Sequence, residues 1–242
     1  PWAEVFEYPV QGGSIKAELV DMQACFNLNG VNITGSPDAA KDAFNRLLEN
    51  FIQDSLVSDT IRDSLLDWID EDTNPSNYGA EDAEYESLTN PYLAANNPLG
   101  HTSELRLING IDQAMEYGGI DELKKVICVL PETTFKVNVN TVTKENAIVL
   151  SALLGDTLDS AINIIESRPE EGFKDQATFL ALSEVQAMDL SEEQIKWFDV
   201  TTKYFKLNTT AKFQGSQFKL STIFRLDDDS ISIISREFGG AF

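Results

Sequence analysis

At 242 residues, with 42% hydrophobic and 10% aromatic side chains, the chain can bury one large core or two smaller ones, and wholesale disorder is excluded. Forty acidic residues against 18 basic ones give a net charge of −22, which repels polyphosphate and anionic lipid because either needs cationic neutralisation to bind well. The balance favours divalent cations or basic protein surfaces instead, with most carboxylates read as a solvated acidic face.

The chain begins at Pro1-Trp2 without a methionine, which reads as a processed or trimmed end. It holds no signal peptide and no run of about eighteen apolar residues, so any membrane anchor is expected outside these residues. Cys25 and Cys128 lie far apart with no CxxC pair or clustered histidine, which argues against zinc. A long-range disulfide and two buried thiols both remain open on composition alone. His101 is the single histidine, so a His-based catalytic centre has little to draw on.

In chain order, residues 14–33 alternate as Ile15, Ala17, Leu19 and then Met22, Ala24, Phe26, Leu28, which predicts strand ending in an Asn29-Gly30 turn. Ser36-Pro37 marks a helix start, followed by Ala40, Phe44, Leu47, Leu48, Phe51 and Ile52 at helical spacing. A second helix is predicted from about Asp59 through Ile61, Leu65, Trp68 and Ile69. Residues 70–100 form a long polar stretch, unusual in a compact domain unless something organises it. Helices are predicted again over Ser103–Asn109 and Asp121–Cys128, on either side of Leu154-Gly155-Asp156, after Asp175 and after Ser191. The last forty or so residues read as three antiparallel strands joined at Gln214-Gly215-Ser216 and Asp227-Asp228-Asp229. Strands at both ends that need each other, with helices between, predict one sheet from residues 1–35 and 196–242 and an inserted α-domain over residues 36–195.

The densest functional constellation lies in the long loop. Asp70, Asp72, Glu81 and Asp82, with Asn96 able to close the site, supply the hard oxygens calcium prefers. The spacing is not that of an EF-hand, and a solvated acidic loop is the plain alternative. A paired-carboxylate hydrolase has no mark in its favour, since nothing sets one carboxylate apart as acid. Asp227-Asp228-Asp229 reads as a tight turn before it reads as a cation site. Val137-Asn138-Val139-Asn140-Thr141, with Leu154-Gly155-Asp156 and Gly172-Phe173, resembles the helix-hairpin-helix modules that grip phosphates. This makes a nucleic-acid-binding module the rival function, against which stand Asp156, Asp159, Glu166, Glu170 and Glu171.

Taken together, several segments resemble the GspK family of type II secretion minor pseudopilins. They are residues 21–29 (DMQACFNLN), 67–72 (DWIDED), 79–82 (GAED) with Tyr85, 91–96 (PYLAAN), 103–107 (SELRL) and 137–141 (VNVNT), all in the family's order. The resemblance implies an α+β fold: a pilin-like antiparallel sheet with a large inserted all-α domain containing SAM-like or helix-hairpin-helix-like elements. It implies a non-enzymatic subunit that caps the pseudopilus tip and helps initiate its assembly with the I and J subunits, GspI and GspJ. A hydrophobic N-terminal helix, absent from these residues, would hold it in the inner membrane, with the remainder in the periplasm. Calcium bound by Asp70, Asp72 and Glu81, with Asp82 and Asn96 as further ligands, is implied by the same resemblance. So is an oxidising compartment, which favours a Cys25–Cys128 disulfide tying the end of a sheet strand to the inserted domain.

Overall fold

The first strand begins at Val5, ahead of the alternation that starts near residue 14. The computed structural model describes residues 5–32 and 37–239, so the serine cap expected at Ser36 lies outside the described residues. In chain order the elements begin with β1 (Val5–Val10) and β2 (Gly13–Asp21). The chain then forms the two-residue strand β3 (Phe26–Asn27) and the helices α1 (Pro37–Glu49), α2 (Ser55–Ile69), α3 (Asp82–Glu86), α4 (Ile111–Tyr117) and α5 (Ile120–Leu123). After β4 (Ile127–Cys128) and β5 (Val137–Asn138) come α6 (Ala147–Leu154), α7 (Leu158–Ser167), α8 (Gln176–Leu180), α9 (Ser183–Gln186) and α10 (Glu192–Ile195). The chain closes with β6 (Phe198–Asp199), β7 (Tyr204–Phe213), β8 (Ser216–Asp227) and β9 (Ser230–Phe238).

Two compact units result, one of residues 1–23 and 201–242 and one of residues 24–200. The first is a five-stranded antiparallel sheet in the order β1-β2-β7-β8-β9. Positive φ turns two of its hairpins, at Gly12 (+86°) between β1 and β2 and at Gln214 (+47°) and Gly215 (+84°) between β7 and β8. The register sorts the side chains by face. Tyr8, Ile15, Ala211 and Phe218 make one row, and Phe6, Ala17, Thr209, Leu220 and Phe238 the next. Much of this apolar face is open, with Phe218 72% and Phe238 76% exposed. The other face is polar. The sheet unit holds seven of the 18 basic residues and eight of the 40 acidic ones, so nearly all of the −22 belongs to residues 24–200.

The helical unit has one continuous core. Ala40, Ala43, Phe44, Leu47 and Leu48 give α1 a buried stripe at helical spacing, while α6 is buried on every side. No single helix among the described residues is long and apolar enough to cross a membrane; in the bent pair α6–α7, at 114°, α6 is buried on every side and α7 buries Ala161, Ile164 and Ile165. α2 begins at Ser55, not Asp59, because the Asp54 carboxylate accepts from Leu56 N and Val57 N and caps it.

Three other expectations change. The strand predicted over 14–33 ends at Asp21 and gives way to a 3₁₀ turn and then β3, which pairs in parallel with β4. The unit boundaries accordingly fall at 23/24 and 200/201 instead of 35/36 and 195/196. The reason is aromatic: Phe26 meets Phe44 at 5.8 Å and Phe135 at 4.8 Å, and Phe135 meets Trp197 at 5.1 Å. These fully buried rings bind both ends of the insertion into its own core. The helix predicted over 121–128 stops at Leu123, and the one over 103–109 is a 3₁₀ segment, Thr102–Leu107, capped by His101 Nδ1 accepting from Ser103 N.

Candidate metal centre

Four turns of α2 place a column of carboxylates at the mouth of the acidic loop. Asp63 is buried and paired with Lys41 and with Arg62 Nε, each at 2.9 Å, and accepts from Tyr78 N. Burial alone would raise its pKa, but hydrogen bonds and charge from Arg62 and Lys41 outweigh that and hold it below the ordinary value. One turn on, the fully buried Asp67 accepts from Ser76 N through both oxygens, at 3.1 and 3.0 Å. Gly79 lies so close to this carboxylate that a Cβ there would collide with it. These two aspartates fold residues 76–79 back onto α2, and neither is among the residues that the sequence marks as ligands.

Asp70 ends α2 as its C-cap and Glu81 precedes α3 as its N-cap. The return of the loop brings them together. Carboxylate oxygens of Asp70, Asp72 and Glu81 all lie within 4.8 Å of one another. Both Glu81 oxygens and Asp70 Oδ1 are buried without a hydrogen-bond partner, and so is Asn96 Oδ1. Asn96 sits at φ +45°, a left-handed conformation that asparagine tolerates better than most residues. Burial, reinforced by the neighbouring aspartates, pushes Glu81 up to about 7. Burial and the charges of Asp72 and Asp67 push Asp70 up to about 6. Asp72 is exposed, and Asn74 donates to it from backbone and side chain at 2.8 Å, which lowers its pKa.

Asp82 does not join the cluster. Its Oδ1 accepts from Ala94 N at 3.0 Å, bracing the segment that presents Asn96. The loop also has apolar anchors that its polar composition conceals: Tyr85 packs on Trp68 at 5.3 Å and on Tyr92 at 5.1 Å. The Tyr92 hydroxyl donates to Leu107 O, and Ala80 and Leu99 are buried. Buried acceptors with no donor are costly. An all-oxygen set of three carboxylates is the donor chemistry of a hard divalent cation, and calcium in particular accepts such irregular loop ligation.

A disulfide joins Cys25 to Cys128, with Cα atoms 5.8 Å apart. It lies beside the β3–β4 ladder, inside the helical unit, because Cys25 comes after the end of the sheet strand and belongs to residues 24–200. It therefore does not tie a sheet strand to the insertion. Next to it, Asn29 Nδ2 donates to Leu99 O and Leu130 O while its Oδ1 accepts from Leu99 N. This fastens the far end of the acidic loop to the segment after β4. The helical hairpin read as a phosphate grip has Asp156 in its turn and Asp159 in the first turn of α7, and the Arg46 guanidinium beside Gly155 is already engaged with Ala152 O, so the hairpin offers phosphate little positive potential.

An antiparallel sheet interrupted by a helical insertion with a carboxylate cluster describes a scaffold or assembly subunit. Two profiles of one family, type II secretion system (T2SS), protein K, match residues 24–132 and 137–201. Type II secretion system protein K of Klebsiella pneumoniae is 31% identical over 239 residues, covering 96% of this chain and 72% of the relative. The Aeromonas hydrophila protein is 32% identical over 253 residues, covering 97% and 73%. Among solved structures, the GspK-GspI-GspJ complex of enterotoxigenic Escherichia coli contains a chain that superposes with a TM-score of 0.85 at 29% identity, covering 100% of this chain and 85% of that one. The chain belongs to the type II secretion system protein K family. It is a minor pseudopilin with a pilin-like sheet and a helical insert, a structural component of the pseudopilus and not an enzyme, and its place is the periplasm. Nothing in these comparisons supports a nucleic-acid-binding module.

Proposed function

We propose that this subunit caps the tip of the pseudopilus, joins the I- and J-type minor pseudopilins there, and helps start assembly of the fibre that exports folded proteins. The observation that carries this reading is the insertion itself, residues 24–200 set between two strands of a small sheet. In this reading it is the bulk of that insertion that keeps further subunits from adding beyond this one. The likeness to a chain solved in a GspK-GspI-GspJ complex supports the choice of partners. The open apolar face of the sheet supports an N-terminal hydrophobic helix that covers it and holds the subunit in the inner membrane before assembly. Co-purification of the chain with the I–J pair, as one particle holding a single copy of each, tests the partnership. A chain that stays apart from the pair would overturn it.

The carboxylate cluster is a structural calcium site in this reading, with Asp70, Asp72, Glu81 and Asn96 as protein ligands and Asp82 as a brace. A bound calcium ion supplies positive charge that offsets the mutual repulsion of these oxygens and gives the buried ones a partner. The residues do the rest: Asp63 and Asp67 fold the loop, and Asp82 positions Asn96. Calorimetric titration of the chelated protein should give saturable calcium binding that Asp70→Ala and Glu81→Gln each abolish. Flat heats for the wild type would leave the cluster as solvated charge.

A further inference from the structure

Asp67, one helical turn ahead of the carboxylate cluster, is not one of its ligands. It is fully buried in α2, and the carboxylate oxygens that converge within 4.8 Å belong to Asp70, Asp72 and Glu81. The returning loop takes both oxygens of Asp67: each accepts from Ser76 N, at 3.1 and 3.0 Å, and the Ala80 backbone donates to this carboxylate as well. Ala80 directly precedes Glu81, and Asp70 follows Asp67 by three residues on α2, so the chain sets Asp67 near both ligands. Its charge reaches each of them, adding to burial in raising the pKa of Glu81 and to burial and Asp72 in raising that of Asp70. Gly79 keeps the seat open, since a Cβ there would collide with Asp67 Oδ2.

The loop's backbone donors go to Asp67, while both Glu81 oxygens and Asp70 Oδ1 stay buried and unpartnered among the described residues. A carboxylate that accepts several N–H bonds keeps its negative charge without a counter-ion. Asp63, a turn earlier, has its charge matched by Lys41 and Arg62, whereas no cation among the described residues offsets that of Asp67. We propose that Asp67 is a positioning residue for the cation, a fourth carboxylate that occupies no coordination position and raises the affinity of the site through its unmatched negative charge. This rests on the calcium reading above. It goes beyond folding the loop, which an asparagine oxygen accepting from Ser76 N would still do. The affinity of an oxygen site for a hard cation is tuned by the negative charge gathered around it, and salt screens a buried charge much less than an exposed one.

The test measures calcium and terbium(III) binding by calorimetry at neutral pH, on the chelated wild type, Asp67→Asn and Gly79→Ala. Terbium(III) is close to calcium in size, takes the same oxygen ligands and carries one more charge. Coulomb energy scales with the charge of the ion, so a missing carboxylate charge that weakens calcium about tenfold weakens terbium about thirtyfold. Asp67→Asn is expected to show that unequal loss. Gly79→Ala disturbs the same contact with no change of charge, and is expected to weaken both ions by one factor. Equal losses for the two ions in Asp67→Asn, or no loss for either, overturn the proposal. So does an equally unequal loss in Gly79→Ala, because the ratio would then report distortion of the loop and not charge. A wild type that binds neither ion overturns the calcium reading, and the proposal falls with it. Circular dichroism checks the fold of each variant; should Asp67→Asn not fold, Asp67→Ser, also neutral, is judged by the same ratio.

Discussion

Glu81 concentrates the chemistry of the acidic loop in one side chain. Its two oxygens are buried with no donor, and burial beside Asp67 and Asp70 raises its pKa to about 7, while Asp70 rises to about 6. Both groups bind protons more tightly folded than unfolded, so their contribution to stability is present below about pH 4 and is lost as pH rises through about 6 to 7. The melting temperature of the chelated protein is therefore expected to fall across that window, and saturating calcium to remove the fall. A flat profile without calcium would mean that water already satisfies these carboxylates. Asp63, whose pKa is lowered, acts with the opposite sign, and its stabilisation disappears only on strong acidification. Gly79 offers a metal-independent check on the same loop. Because a Cβ there meets the Asp67 carboxylate, Gly79→Ala should cost about 1–3 kcal/mol in urea unfolding.

At the scale of elements, the disulfide closes a loop across a sequence separation of 103 residues, and confining so long a loop in the unfolded chain is worth about 2–5 kcal/mol. Cys25→Ser/Cys128→Ser should lose that much in urea unfolding while the sheet spectrum stays unchanged, since both cysteines lie in the helical unit. The legibility of this architecture in the sequence depends on where each element draws its stability. The β7–β8 and β8–β9 hairpins and α1 are legible because turn chemistry at Gln214-Gly215 and Asp227–Asp229 and a helical apolar stripe are local signals. β3 to β6 are not, since a two-residue parallel ladder such as Phe26–Asn27 with Ile127–Cys128 exists only through distant packing. The cluster of Asp70, Asp72 and Glu81 is legible as composition. The bracing of the loop by Asp63, Asp67 and Asp82 is not, because a helical aspartate looks solvated until its long-range backbone donors are known.

For the whole molecule, the charge and the carboxylate cluster fall on the same side of a division. The sheet unit is close to neutral, and residues 24–200 hold nearly all of the −22 together with the carboxylate cluster and the disulfide. A ligand that binds one unit stabilises that unit by mass action, by about 2.7 kcal/mol at a hundredfold excess over Kd, and leaves the other to its own contacts. Within the helical unit the response should be graded, because Tyr85, Tyr92 and Trp68 give the middle of the loop an aromatic anchor that needs no ion. Chelation is thus expected to speed amide exchange and proteolysis at residues 70–81 and 94–97, with Tyr85 and its neighbours changing less and the amides of β7 and β8 not at all. Hydrogen exchange with and without EDTA reads all three regions at once. Faster exchange in β7 and β8 on chelation would mean that the sheet depends on the ion, and uniform loosening of residues 70–100 would mean that the aromatic anchor does not hold without it.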